Sequence, residues 1–118
     1  MQIRNIPFGV TDWSTVERVE KPAEAGQAFW QTRQFGDLRV RRVEYTPGYV
    51  SDHWCEKGHI LLCLAGELHT ELADGRRYTL RPGMSYQVAD QADQADQADQ
   101  AELHRSTSPV GATLFVVD

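Results

Sequence analysis

Three residues with metal-binding side chains lie within seven positions of one another in the middle of the chain. The segment from Pro47 to Gly66 reads PGYVSDHWCEKGHILLCLAG and contains His53, Cys55 and His59. Imidazole and thiolate are both good ligands for first-row transition metals. If the three side chains converged from adjacent strands, they would make most of a zinc, iron or copper site.

An extended strand would place the first two of these residues on one face. Side chains at every second residue of a strand point to the same side, so His53 and Cys55 are expected together, with Trp54 on the other side. A turn at residues 57–58 would bring His59 back beside them. The alternative interpretation is that both histidines are hydrogen-bonded core residues and that Cys55 is a small apolar filler.

The elements that must position these residues are predicted to be short strands. Turn signals rich in glycine and proline recur every several residues, and the runs between them are rich in β-branched and aromatic residues, which is typical of a sandwich or barrel. Asp74-Gly75 is the strongest hairpin signal, because both residues tolerate the positive φ that hairpin turns need. Alternation slips by one residue at Arg41-Arg42, which predicts a bulge. A short helix is predicted from Asp12 to about Arg18, with capping-box spacing.

Size and charge exclude several function classes. A chain of 118 residues is long enough for one domain and too short for two ordinary ones. The formal net charge of -5 and the scattered arginines argue against nucleic-acid binding, and no apolar run is long enough for a signal peptide or a membrane helix. Cys55 and Cys63 are therefore interpreted as free thiols of a cytoplasmic protein.

The triplet Ala-Asp-Gln occurs four times in succession between residues 89 and 100. A strict period of three drifts around a helix of 3.6 residues per turn, so the repeat builds no apolar face. Because closing a longer loop costs only about 0.6 kcal/mol per doubling of length, we interpret the repeat as a tolerated expansion of a surface loop. The rival interpretation is an acidic helix that acts as a lid or partner contact.

Other residues of the central strands have two interpretations each. Cys63 shares strand parity with His59, but a buried small residue is the more common role, so Cys63 is left out of the predicted site. Four aromatic residues lie at strand spacing: Trp30, Tyr45, Trp54 and Tyr86. They could line a pocket for a small organic ligand, or they could pack in the core or in a subunit interface.

The central segment resembles the first sequence motif of the cupins, in particular the small single-domain group of DHCW-motif cupin-fold proteins. The resemblance covers nearly the whole chain apart from the repeat. In the general motif a glycine precedes His-x-His, and a glutamate and a second glycine follow; Gly48 and Gly66 match the glycines here. On this alignment His53 takes the first histidine position, Cys55 the second and His59 that of the glutamate.

Arg81-Pro82-Gly83 is similar to the start of the second cupin motif, which continues through a strand and a turn to a histidine. With the extra triplets removed, His104 falls at that histidine, so the repeat interrupts the turn before the last ligand. The resemblance implies an all-β fold, the cupin double-stranded β-helix or jelly-roll barrel, with a short N-terminal helix or irregular arm. It also implies one cupin domain over residues 1–118 with a loop insertion at 89–101, and a homodimer.

The predicted metal site therefore consists of His53, Cys55, His59 and His104, and would hold a divalent transition metal such as zinc, iron, nickel or copper. In the first hypothesis the three histidines leave a position for substrate, which suits a metal-dependent small-molecule enzyme of oxygenase or isomerase type. In the second, Cys55 closes the site, and the barrel is a non-catalytic sensor or binding module. A metal-free barrel for a small-molecule ligand is the third.

Overall fold

The structure is a computed structural model that describes residues 3–91 and 102–118. Within these ranges the chain forms a short 3-10 helix and ten strands. In chain order they are the 3-10 helix Trp13–Thr15, β1 Val19–Lys21, β2 Ala28–Phe35, β3 Leu38–Tyr45, β4 Tyr49–Val50, β5 His59–Gly66, β6 Leu68–Leu72, β7 Arg77–Leu80, β8 Ser85–Val88, β9 His104–Ser108 and β10 Ala112–Val117.

The strands form two antiparallel sheets that enclose one core. The larger sheet has the order β1-β2-β3-β10-β5-β8, and the smaller has the order β4-β9-β6-β7. The predicted all-β jelly-roll fold is confirmed. The core cluster takes residues from both sheets and consists of Val43, Leu61, Cys63, Leu68, Leu80, Ala112, Leu114 and Val116.

Alternation along β5 decides which side chains reach the inside of the barrel. Leu61 and Cys63 are buried, whereas Ile60 and Leu62 on the opposite face are exposed. Burial of an aliphatic side chain such as Leu61 contributes about 1.5 to 3 kcal/mol, so this orientation of the strand is strongly favoured. His59 occupies the same inward phase as Leu61 and Cys63, and it therefore enters the barrel.

The hairpin predicted at Asp74-Gly75 is confirmed. Strands β6 and β7 pair in antiparallel register from Leu68 opposite Leu80 to Glu71 opposite Arg77. Gly75 has a φ of +97° in the connecting turn, a conformation that residues with a Cβ rarely adopt.

The bulge predicted at Arg41-Arg42 is wrong. Strand β3 keeps a continuous register through both residues, against β2 on one side and β10 on the other. The alternation seemed to slip because Arg41, a charged residue, is buried on the same face as Val43. The observed register shift lies between β10 and β5, at Thr113 and Leu114.

The helix predicted from Asp12 to Arg18 is reduced to the single 3-10 turn. Asp12 is its N-cap, with a side-chain oxygen that accepts from the Ser14 N–H over 3.0 Å, and Val16 already has extended backbone angles. The segment has no buried residue, so no packing energy extends the turn into a helix. No helix in the described ranges is long and apolar enough to cross a membrane.

Candidate metal centre and cavity

Cys55, His59 and His104 converge inside the barrel. One ligand atom of each of the three side chains lies within 4.8 Å of those of the other two. His59 is the first residue of β5 in the larger sheet, and His104 is the first residue of β9 in the smaller sheet. The group therefore forms where the two sheets face each other.

A backbone bridge fixes Cys55 beside His104. The Cys55 N–H donates to the His104 carbonyl over 2.7 Å, and the His104 N–H donates to the Cys55 carbonyl over 3.1 Å. This isolated bridge lies beyond β4, which ends at Val50. The position of the thiol is thus set by pairing with β9 rather than by a continuous strand.

The structure does not bring His53 into this group. Its side chain is 69% exposed, and its Nδ1 lies 2.6 Å from Asp52 Oδ1. The alternation that was expected to place His53 beside Cys55 does not apply, because the chain bends after β4 and Ser51 Oγ donates to the His53 carbonyl over 3.0 Å. Three of the four residues of the predicted site therefore meet, and the fourth lies at the surface.

Two imidazole nitrogens in the group are buried without a hydrogen-bond partner among the described residues. They are His104 Nε2 and His59 Nδ1. The other nitrogen of each ring has a neighbour: His104 Nδ1 lies 3.3 Å from the Glu102 carbonyl, and His59 Nε2 lies 2.9 Å from the Tyr86 hydroxyl. Buried polar atoms are nearly always satisfied, so unpartnered nitrogens beside a thiol fit a metal ion.

Burial keeps both imidazoles neutral. It lowers the pKa of His59 to about 4, with a further contribution from the neighbouring His104. Burial also lowers the pKa of His104, although the hydrogen bond with the Glu102 carbonyl opposes that effect. A neutral imidazole has a free lone pair, so near pH 7 both rings are in the form that binds a metal.

Beside the histidines lies an ion-paired group that the sequence analysis missed. The Asp118 carboxylate accepts from Arg39 Nε over 2.8 Å and from Arg41 Nη2 over 3.0 Å, and it lies 3.8 Å from His59 Nδ1. The sequence pattern contained one indication of this group: Arg41 falls on the same face of β3 as Val43. The sequence analysis attributed that pattern to a bulge. Asp118 carried no signal, because its partners are far away in sequence.

A cavity of about 500 Å³ opens onto the three convergent residues. This volume is in the range of pockets that hold small organic molecules. Its wall includes Cys55, His59 and His104, and also all four aromatic residues for which a pocket role was considered, Trp30, Tyr45, Trp54 and Tyr86. Burial raises the pKa of Tyr86, so its hydroxyl remains protonated beside His59.

The first triplet of the repeat packs against the turn that precedes His59. The Gln91 N–H donates to the Glu56 carbonyl over 2.8 Å, and the Gly58 N–H donates to Asp90 Oδ1 over 2.6 Å. A Cβ on Gly58 would lie 2.5 Å from the Asp90 nitrogen, so only glycine permits this approach. The rest of the predicted loop insertion, residues 92–101, lies outside the described residues.

No protein-family model and no curated protein matches the chain. Solved structures do match over most of its length. Ectoine synthase from P. lautus is 14% identical with a TM-score of 0.70, and the match covers 93% of this chain and 76% of that one. An RmlC-like cupin from Shewanella frigidimarina is 19% identical with a TM-score of 0.66, with 95% and 90% covered.

A sugar phosphate isomerase of the cupin superfamily from Silicibacter pomeroyi is also similar. It is 17% identical with a TM-score of 0.69, and 92% of this chain and 74% of that one are covered. At these identities the likeness shows the fold and does not transfer a function. The chain therefore has the cupin fold, the double-stranded β-helix with an internal cavity.

Proposed function

We propose that the protein is a metal-binding cupin in which Cys55, His59 and His104 hold a divalent transition metal at the inner wall of the cavity. The observation that carries the proposal is the convergence of the three side chains, with two buried imidazole nitrogens that have no hydrogen-bond partner in the described part of the chain. Zinc, iron, nickel and copper all accept such ligands.

The proposed function of the metal is to act on a small organic molecule in the cavity. Three protein ligands leave a coordination position open, and a metal in such a site supplies a Lewis acid. The cavity of about 500 Å³ beside the three ligands provides room for a substrate. Ectoine synthase, a sugar phosphate isomerase and a polyketide cyclase have the same fold, so this fold supports small-molecule enzymes.

The decisive experiment is elemental analysis of untagged protein and of four variants. We expect about one metal ion per chain in the parent, and loss of most or all of the metal in His104→Ala and in Cys55→Ser, because each variant removes a proposed ligand. His53→Ala and His69→Ala should keep their metal, because both side chains lie outside the group. Circular dichroism of each variant checks that the chain has folded.

Two results would contradict this assignment. A parent protein that takes up no metal even after incubation with each of the four ions would leave only the metal-free ligand-binding barrel. Loss of metal in His53→Ala as severe as in His104→Ala would instead favour the closed site of one cysteine and three histidines. In that case the binding or sensor function would replace the enzyme, because a filled shell has no position for substrate.

Three further assignments belong to the same proposal. The sequence Asp52-His53-Trp54-Cys55 supports membership of the DHCW-motif group, although the group's name has the last two residues in the opposite order. The free thiols of Cys55 and Cys63 suit the reducing cytoplasm. We also propose a homodimer formed through the outer face of β5.

A further inference from the structure

Three cationic side chains surround the ring of Trp30 on the cavity wall. The Arg41 guanidinium carbon lies 4.2 Å from the ring centroid, Lys21 Nζ lies 5.0 Å from it, and the Arg39 guanidinium carbon lies 5.3 Å from it. All four residues line the cavity that also contains His59. Cations within about 6 Å of an aromatic face are held there by the ring quadrupole, so Trp30 organises this positive patch.

Arg41 is not fully satisfied inside the protein. The residue is 6% exposed, and its Nε is buried without a hydrogen-bond partner among the described residues. Of the acidic residues that the structure describes, it pairs with Asp118, whose carboxylate is already bound by two nitrogens of Arg39 at 2.8 and 2.9 Å. Burial and the charge of Arg39 hold the pKa of Arg41 below its ordinary value, because Asp118 offsets them only in part.

The charges at this end of the cavity do not cancel. Lys21, Arg39 and Arg41 carry three positive charges there, and the side chain of Asp118 carries one negative charge. Lys57, Asp52 and Glu56 also line the cavity, but they are exposed. The excess lies in a chain whose formal net charge is -5. Arg41 is buried and shares its carboxylate partner with Arg39, so an anionic ligand would stabilise it further.

We infer that the cavity binds the carboxylate group of a small organic acid through Arg41 and Arg39. A guanidinium presents five N–H groups in a planar arrangement that matches a carboxylate. Asp118 accepts from Nε and Nη2 of Arg39 and from Nη2 of Arg41, whereas Nη1 of each arginine donates to no described residue and is left for a ligand. The aromatic wall then receives the apolar body of the ligand. The inference rests on the proposed function for one point, that the far end of the acid faces the metal held by Cys55, His59 and His104.

Asp118 lies between the two arginines and the candidate metal ligands. It contacts Arg41 on one side and lies 3.8 Å from His59 on the other. An acid bound at the arginines would therefore lie along the wall that leads to the metal ligands. The substrate class that follows is an organic carboxylate with an apolar or aromatic body, small enough for about 500 Å³.

Calorimetric titration with benzoate tests the inference, with benzamide as the neutral molecule of the same shape. The titration is run on the protein as purified and again after dialysis against a chelator, so binding at the arginines is measured whether or not a metal is present. We expect benzoate to bind in both states and benzamide to bind at least about tenfold more weakly, because hydrogen bonds between charged groups are roughly twice as strong as those between neutral groups.

The variants Arg41→Gln and Arg39→Gln should each weaken benzoate binding about tenfold or more. Arg33→Gln is the matched control, because Arg33 also lies over an aromatic ring, that of Phe35, but is exposed and outside the cavity. Arg39 is more exposed than Arg41, so Arg39→Gln remains informative if Arg41→Gln fails to fold.

Equal binding of benzoate and benzamide, or equal loss in Arg33→Gln, would overturn the inference. Tighter binding of inorganic phosphate than of benzoate to the metal-free protein would also overturn it, in favour of a phosphate ligand. Binding of benzoate only when metal is present would place the carboxylate on the metal instead. Failure of the metal proposal alone would leave benzoate binding to the chelator-treated protein intact, so the two failures are distinguishable.

Discussion

At the scale of single residues, Asp118 joins the cationic wall of the cavity to the candidate metal centre. Its side chain is 1% exposed and contacts Arg39, Arg41 and His59. Burial is the largest influence on its pKa and raises it, but the hydrogen bond from Arg39 and the charge of Arg41 together hold the pKa below its ordinary value. The carboxylate is therefore charged in the folded protein and stabilises it.

The acid sensitivity of the fold should depend on Asp118. Because its folded pKa is depressed, its contribution is present above the unfolded value of about 3.9 and is lost as the pH falls through the folded value. We expect Asp118→Asn to lower the free energy of unfolding by about 3 kcal/mol at pH 7 and by clearly less at pH 3. Urea unfolding at both pH values measures this.

The matched control for that experiment is Asp37→Asn, in the exposed turn between β2 and β3. Its stability should stay within about 0.5 kcal/mol of the parent at both pH values. An Asp118→Asn variant that loses the same amount at pH 3 as at pH 7 would show that the carboxylate charge is not what stabilises the fold.

At the scale of elements, the passage from β5 to β6 carries the chain from one sheet to the other. Gly66 has a φ of +76°, and a Cβ at this position would lie 2.0 Å from the Gly111 carbonyl oxygen. The close approach lets the Glu67 N–H donate to that same carbonyl over 3.0 Å. Only glycine satisfies both the backbone conformation and the available space.

Gly66→Ala should therefore lower the free energy of unfolding far more than the same change at another glycine of positive φ. We expect a loss of about 3 kcal/mol or more in the free energy of unfolding, because backbone strain and a clash with backbone add. Gly36→Ala is the control: its φ is +57° but nothing lies within 4 Å of the added Cβ, so a loss of about 1 kcal/mol is expected. Equal losses at the two positions would contradict the role of the Gly111 contact.

At the scale of the whole molecule, the repeat joins β8 to β9 and thus precedes His104. The strand containing His104 is held by its pairing with β6 and by the Cys55 bridge, neither of which involves residues 92–100. Deletion of residues 92–100 should then retain metal binding and change the free energy of unfolding by about 1 kcal/mol or less. The measurements are the metal content and the thermal unfolding of the shortened chain. Loss of metal would show that the repeat takes part in metal binding.

The outer face of the larger sheet is the surface proposed for the homodimer. Ile60, Leu62 and Leu64 alternate along β5 and are 50%, 36% and 45% exposed. A row of exposed aliphatic side chains is typical of an interaction surface. Light scattering after gel filtration should give twice the chain mass for the parent and the chain mass for Leu62→Lys.

Tyr78→Lys is the control for the dimer experiment. Tyr78 is 51% exposed on β7, in the smaller sheet, so its replacement should leave the dimer intact. A parent protein that elutes as a monomer at all concentrations would refute the assignment.

The sequence by itself predicted the fold and three side chains that converge in the barrel, Cys55, His59 and His104. Period-two alternation, the hairpin at Asp74-Gly75 and the glycines of the turns are local properties, so the sequence alone indicates them. The spacing of the histidines and of Cys55 pointed to a metal site, and Cys63 was rightly assigned to the core.

Only the tertiary structure decided which side chains meet. It placed His53 at the surface, because the chain bends after β4 and the expected strand parity is lost. It also paired Arg41 with Asp118, which is 77 positions away, and thereby explained a buried charge that alternation alone presented as a bulge. Alternation reports the two faces of one strand, whereas this ion pair depends on which strand lies beside β3. That neighbour is β10, the last strand in sequence, and local patterns along one strand do not indicate a pairing between such distant segments.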